Sequence, residues 1–192
     1  MPTYLQGLTI GLAYVAPIGM QNLFVINSAL TQPRRRALLT ALIVIAFDIS
    51  LALACFFGIG ALVERFDWLQ RLILIVGGCI VVWIGIGLLR DKPTLDRDVD
   101  VSIPLPRLAA KAFVVTWINP QALIDGTMLF GSFRAGNPGA VASQLMLGSA
   151  SASCLWFLGI TILISFFSAK FNDKILRVIN IVCGLIIIFY GA

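Results

Sequence analysis

Histidine is absent from this chain and charge is scarce: Asp, Glu, Lys and Arg make up 12% of its 192 residues, against about 25% in an ordinary soluble domain. Without histidine there is no H-E-x-x-H zinc helix and no Ser–His pair. The four cysteines, Cys55, Cys79, Cys154 and Cys183, contain no C-x-x-C spacing, which argues against both a redox pair and a disulfide framework. No Gly-Lys-Ser/Thr loop is present to cradle a nucleotide's phosphates. Two aspartates do fall inside apolar runs, but neither stands in the Gly-x-Gly-Asp setting of an intramembrane acid protease. The chain therefore reads as a non-enzyme, with no cofactor and no metal site.

What is present is apolar. Hydrophobic residues make up 59% of the sequence and the mean hydropathy is +0.98, so most of the chain must have lipid as its solvent. In a bilayer the backbone has to satisfy its own hydrogen bonds, and long unbroken apolar runs select helices over barrel strands. The expected fold is an all-α membrane protein. A span needs about 20 mostly apolar residues, which predicts six transmembrane helices at Leu5–Leu30, Ala37–Val63, Trp68–Leu89, Leu108–Phe133, Val141–Ser168 and Ile175–Tyr190. Five spans with one re-entrant segment is the alternative, the first helix being the most polar. The N-terminus MPTYLQ lacks a basic region and the following run is too long for a signal-peptide core, so the first span is expected to be retained.

The net charge of +5 does not point to nucleic acid, because the basic residues sit in short connections without a basic face or interleaved aromatics. With six spans, eleven of the fourteen Lys and Arg fall in or beside the first, third and fifth connections, and only Arg65, Arg71 and Arg134 on the other side. The positive-inside rule then predicts those three connections in the cytoplasm and both termini outside.

The two halves of the sequence echo one another. Ala16-Pro17 and Asn119-Pro120 both interrupt a span near its middle, and each proline is followed five residues on by a polar side chain, Asn22 or Asp125. Phe57-Gly58-Ile59-Gly60 matches Leu158-Gly159-Ile160-Thr161, and Gly78 to Gly85 matches Gly184 to Gly191. Three crossings per copy invert the second copy. The expectation is a single transporter domain over residues 1–192, made of two inverted three-helix repeats (about 1–90 and 108–192) joined by a cytoplasmic linker at about 90–107. Inverted repeats with broken helices at matching positions point to a secondary transporter with a site near the bilayer midplane. Shared membrane-helix composition is the competing explanation of the short matches.

Pro17 and Pro120 each withhold one N–H, from the carbonyls of Ala13 and Thr116. Freed carbonyls at membrane depth must face protein, water or a ligand; a simple kink is the plain alternative. Around the breaks lie Gln21, Asn22, Asn119, Gln121 and Asp125. The i, i+4 spacing puts Gln121 and Asp125 on one helix face. Such polar groups also serve as interhelical glue. Gly7 and Gly11, spaced G-x-x-x-G, suit close helix packing. Asp48 is the most informative residue, because a carboxylate near the bilayer centre costs roughly 2.5–3.5 kcal/mol on insertion scales. It must be paired, protonated or facing water. With Asp125 it makes an acidic interior without an equally deep Lys or Arg, which favours a cationic ligand or a transported proton; a hydrogen bond from a protonated Asp48 is the structural alternative. The candidate substrate-binding set is Pro17, Gln21, Asn22, Asp48, Asn119, Pro120, Gln121 and Asp125.

Pro17-Ile18-Gly19-Met20-Gln21-Asn22, Asp48, and Asn119-Pro120-Gln121-Ala122-Leu123-Ile124-Asp125 followed by Gly131-Ser132 resemble the lysine exporter (LysE) family of bacterial amino-acid efflux proteins. The resemblance covers essentially the whole chain in length and helix order. Within the family, Gln21-Asn22 is similar to the pattern of lysine and arginine exporters, whereas threonine/homoserine-type relatives tend to show Pro-Gly-Pro in the first helix. Met20 departs from a position where proline is common, and Gln121 from one where histidine is frequent. The resemblance implies a multi-pass protein of the bacterial inner membrane that exports a small amino acid, driven by the proton-motive force. The partners implied are the amino-acid substrate, protons and the lipid bilayer, with a homodimer left open. A neutral amino-acid exporter, and an inorganic-cation transporter or channel, are the alternative readings.

Overall fold

The computed structural model describes residues 3–17, 19–58, 104–137 and 139–167, with single positions between 66 and 86 and between 178 and 185. The expected third and sixth spans and nearly all of the 90–107 linker lie outside the described stretches, within which six helices form: α1 (Thr3–Val15), α2 (Met20–Thr31), α3 (Arg34–Phe56), α4 (Leu105–Trp117), α5 (Pro120–Gly136) and α6 (Gly139–Phe167).

Proline sets most of these boundaries. The last α1 bond runs from the Ala16 N–H to Leu12 O, and the next turn begins with the Leu23 N–H on Gly19 O. Between them Pro17 has no proton to give and biases Ala16 away from helical geometry. Pro33 caps α3, accepting from the Arg36 and Ala37 N–H groups, and Pro104 caps α4 in the same way. Asn119 is extended, with φ −83° and ψ 108°, and Pro120 opens α5, where its missing N–H would have had no partner anyway. Both expected interruptions are therefore real helix breaks. α3 stops at Phe56, where Gly58 takes φ +100° and its N–H returns to Cys55 O, a glycine stop that other residues adopt with strain; residues 59–63 of the expected second span lie outside the described residues.

α3 and α6 are each long and apolar enough to cross a membrane, and α1 with α2, bent by 78° at the break, forms a third crossing or a re-entrant pair. The contacts fix their directions. Asp48 meets Ser153 and the Arg34 guanidinium lies 4.9 Å over the Phe166 ring, so α3 and α6 run antiparallel. Phe47 meets Phe113 edge-on at 5.5 Å and the Trp117 indole donates to Ser50 Oγ at 3.1 Å, so α4 runs parallel to α3. Each broken pair packs on the unbroken helix of the other half: α1 and α2 on α6, α4 and α5 on α3.

The α1–α6 seam is a glycine contact. A Cβ on Gly7 would strike the Leu145 backbone, one on Gly11 would lie 2.6 Å from Ser149 Cα, and one on Gly148 would strike the backbone of Tyr4 and Leu8. Lipid supplies no hydrophobic drive for helix association, so this close approach has to supply it through van der Waals contact. Gly148→Val is expected to separate the helices and to lower the melting temperature of detergent-solubilised protein, overpacking of this kind costing about 1–3 kcal/mol or more. An unchanged melting temperature would show that the seam yields without cost.

Candidate functional site

At the first break the chain leaves α1 with its last carbonyls lacking helical donors, and Asn22 turns back to meet them. Its Nδ2 donates to Val15 O at 2.8 Å and to Pro17 O at 2.7 Å. Its Oδ1 accepts from the Trp156 indole N–H of α6 at 2.7 Å. Asn22 is buried, and its amide holds the two half-helices at their angle. The preceding residue turns the other way: Gln21 Nε2 donates to Asp48 Oδ1 at 3.2 Å, while Ser153 Oγ donates to Asp48 Oδ2 at 2.6 Å. Asp48 is only 2% exposed. Both of these partners are neutral, one from each half of the chain. Ser153 and Trp156 are three residues apart on α6, hence on one face, so a single turn of that helix engages both the carboxylate and the clasp of the break.

The second break is more open. Gln121 Nε2 donates to Asp125 Oδ2 at 2.8 Å, the i, i+4 pairing expected from the sequence, and both side chains are exposed. Asn119 is half-buried beside Pro120 and makes no side-chain cap bond. Tyr14 joins the two breaks: its hydroxyl donates to Ala122 O in the first turn of α5 at 3.2 Å, and its ring meets Phe130 edge-on at 5.3 Å. Gly126 leaves room for it, since a Cβ there would lie 3.3 Å from both the Tyr14 hydroxyl and Cys55 Sγ.

The structure thus gathers Gln21, Asn22 and Asp48 around the first break, and Asn119, Gln121 and Asp125 around the second. The sequence model of the LysE type translocator family matches residues 12–192. The chain belongs to that family. It is similar to the protein named arginine exporter protein ArgO of Enterobacter sp. (strain 638), 30% identical over 191 residues covering 97% of this chain and 90% of the relative. It is equally similar to the proteins of that name from Salmonella schwarzengrund (strain CVM19633) and Salmonella newport (strain SL254), 30% identical over 188 residues, 95% of this chain and 88% of each relative. No solved structure matches.

In this LysE-family chain three residues that sequence reasoning passed over bond to the candidate residues or the second break: Tyr14, Ser153 and Trp156. None carries a charge, and serine and tryptophan are common in membrane helices. Only the crossing of α6 over α3 gives Ser153 and Trp156 their partners. The freed carbonyls also shift. Those that find a donor at the first break are Val15 and Pro17, because the chain leaves the helix over several residues and loses more than the single bond Pro17 withholds from Ala13.

Proposed function

We propose that this translocator exports basic amino acids, arginine or lysine, across the bacterial inner membrane, driven by the proton-motive force. The observation that carries the reading is the Asp48 carboxylate, buried where α2, α3 and α6 meet and held, among the described residues, by neutral donors. A buried carboxylate without a cationic partner costs several kcal/mol, and a passing ammonium, guanidinium or proton would offset that cost for part of each cycle. The names of the relatives support the same substrate class.

The helix directions support an inverted repeat. α3 and α6 hold the same place in the two halves and run antiparallel, while α1 runs parallel to α6 as α4 does to α3. In this reading Pro17, Gln21, Asn22 and Asp48 form one side of the substrate path and Asn119, Pro120, Gln121 and Asp125 the other. Rocking about the two breaks gives alternating access. Arg34 beside Phe166 brings together the helix ends that lead into the first and fifth connections, in keeping with a shared cytoplasmic side.

The direct measurement is efflux of labelled arginine and lysine from preloaded cells with and without the protein, beside threonine, alanine and a divalent cation. Faster loss of the two basic amino acids, stopped by an uncoupler, is the expected result. Loss of threonine alone would reassign the substrate to the neutral class, and movement of the divalent cation alone would replace the exporter with an inorganic-cation pathway.

A further inference from the structure

One buried polar atom near the second break has no partner. The Thr116 side chain is fully buried, and its Oγ1 makes no hydrogen bond among the described residues. Helical threonines commonly turn that hydroxyl back to the carbonyl four residues earlier, as Thr161 and Thr40 do here. Thr116 does not. An unbonded buried hydroxyl is destabilising, so its presence calls for a partner at some stage of the protein's work.

Its location follows from the helix registers. Val25, Val44, Ala112 and Phe157, one from each of α2, α3, α4 and α6, belong to a single apolar cluster. α4 runs parallel to α3, while α2 and α6 run against it, as the Ser28–Thr40 and Asp48–Ser153 bonds show. One turn further in the direction of α3 is therefore reached by adding four residues on α3 and α4 and subtracting four on α2 and α6. That step reaches Gln21, Asp48, Thr116 and Ser153, with the Phe47–Phe113 and Ser50–Trp117 contacts setting Thr116 one to two residues beyond Asp48 along α3. Three of the four already bond through the Asp48 carboxylate; the unbonded Thr116 hydroxyl is the fourth.

Thr116 also lies in the last turn of α4, which ends at Trp117. Its carbonyl is among the last of the helix, beyond which Asn119 is extended, so it receives no intrahelical bond, and the C-terminal end of a helix favours positive charge. The carbonyl, the hydroxyl's lone pairs and the Asp48 carboxylate are all acceptors within one helical turn along α3.

We infer that the last turn of α4 is a subsite for the positively charged group of the transported amino acid, formed by the Thr116 hydroxyl and carbonyl within a turn of Asp48. This rests on the exporter reading and names the part of the path that contacts the ammonium or guanidinium. The subsite is sealed in the conformation described, so the charged group reaches it only when the half-helices move apart.

Thr116→Val keeps the shape and removes the hydroxyl; Thr116→Ser keeps the hydroxyl; Thr116→Ala serves if valine reduces the folded yield. Uptake of labelled arginine into everted membrane vesicles, normalised to folded protein, gives KM and kcat for each. The valine variant is expected to fold at least as well as the unmodified protein, because an unbonded buried hydroxyl has gone, while KM rises roughly ten- to hundredfold, the range for one hydrogen bond to a charged group. Serine restores KM. An unmodified protein that transports arginine beside a valine variant of unchanged KM overturns the subsite alone, whereas no transport by the unmodified protein overturns the exporter reading and the subsite with it. Repeating the series with sodium replaced by choline tests the other source of positive charge: if Thr116→Val alters only the sodium dependence, the occupant is a metal cation and the amino-acid assignment fails.

Discussion

Asp48→Asn is expected to stop export of arginine and lysine, to the background of cells lacking the protein, while leaving it folded in the membrane. The geometry makes the substitution a clean test of charge. Asparagine has the shape of aspartate, and its Oδ1 keeps the Gln21 Nε2 donor now at 3.2 Å. Its new Nδ2 takes the place of Oδ2 and donates to Ser153 Oγ, which now gives its own proton to the carboxylate at 2.6 Å. The serine hydroxyl is then free to turn toward Ser149 O, already 3.5 Å away. Every hydrogen bond has a counterpart, so packing stays and only the ionisable group is lost. Efflux rates together with the amount of monodisperse protein extracted from membranes decide the matter. Full transport by the asparagine variant would reduce Asp48 to a hydrogen-bonding strut between the halves.

Asn22→Leu has the opposite profile: the protein itself is expected to fail. The amide spans two carbonyls of an interrupted helix and receives the Trp156 indole. Leucine leaves Val15 O, Pro17 O and Trp156 Nε1 without these partners in surroundings where water is scarce. Each unsatisfied group costs about 1–3 kcal/mol, and three of them rival the roughly 5–15 kcal/mol by which a typical protein is stable. Little folded protein should be recovered, and the remainder should melt well below the parent. Trp156→Phe removes one of the three bonds and should fall between. A leucine variant with the parent's melting temperature would show that the break is held by packing alone.

The contrast between the two aspartates marks how far the sequence could be read. The breaks at Pro17 and Pro120, the apolar length of α3 and α6, and the shared face of Gln121 and Asp125 follow from local chemistry: a missing N–H, a run of apolar residues, a four-residue spacing. The place of Asp48 inside an apolar run is read directly from its flanks, Ala46-Phe47 and Ile49. What surrounds it is not. Ser153 lies 105 residues away, and its arrival depends on two helices crossing at that point, which no local pattern encodes. Asp125 shows the converse. Its neighbours are as apolar as those of Asp48, yet it ends up exposed and bonded along its own helix, because exposure depends on what packs across that face. The stop of α3 at Phe56 is a smaller case: Gly58 sits in an apolar run that reads as continuous helix, and its backbone angle marks the end.

The glycine seam has a mechanical meaning. With backbone pressed on backbone from Gly7 to Gly11, the first half-helix and the long sixth helix form one lever, which ends where Pro17 interrupts the chain. Ser153 and Trp156 ride on that lever, so a push on the short arm alters at once the grip on the carboxylate and on the hinge pin itself.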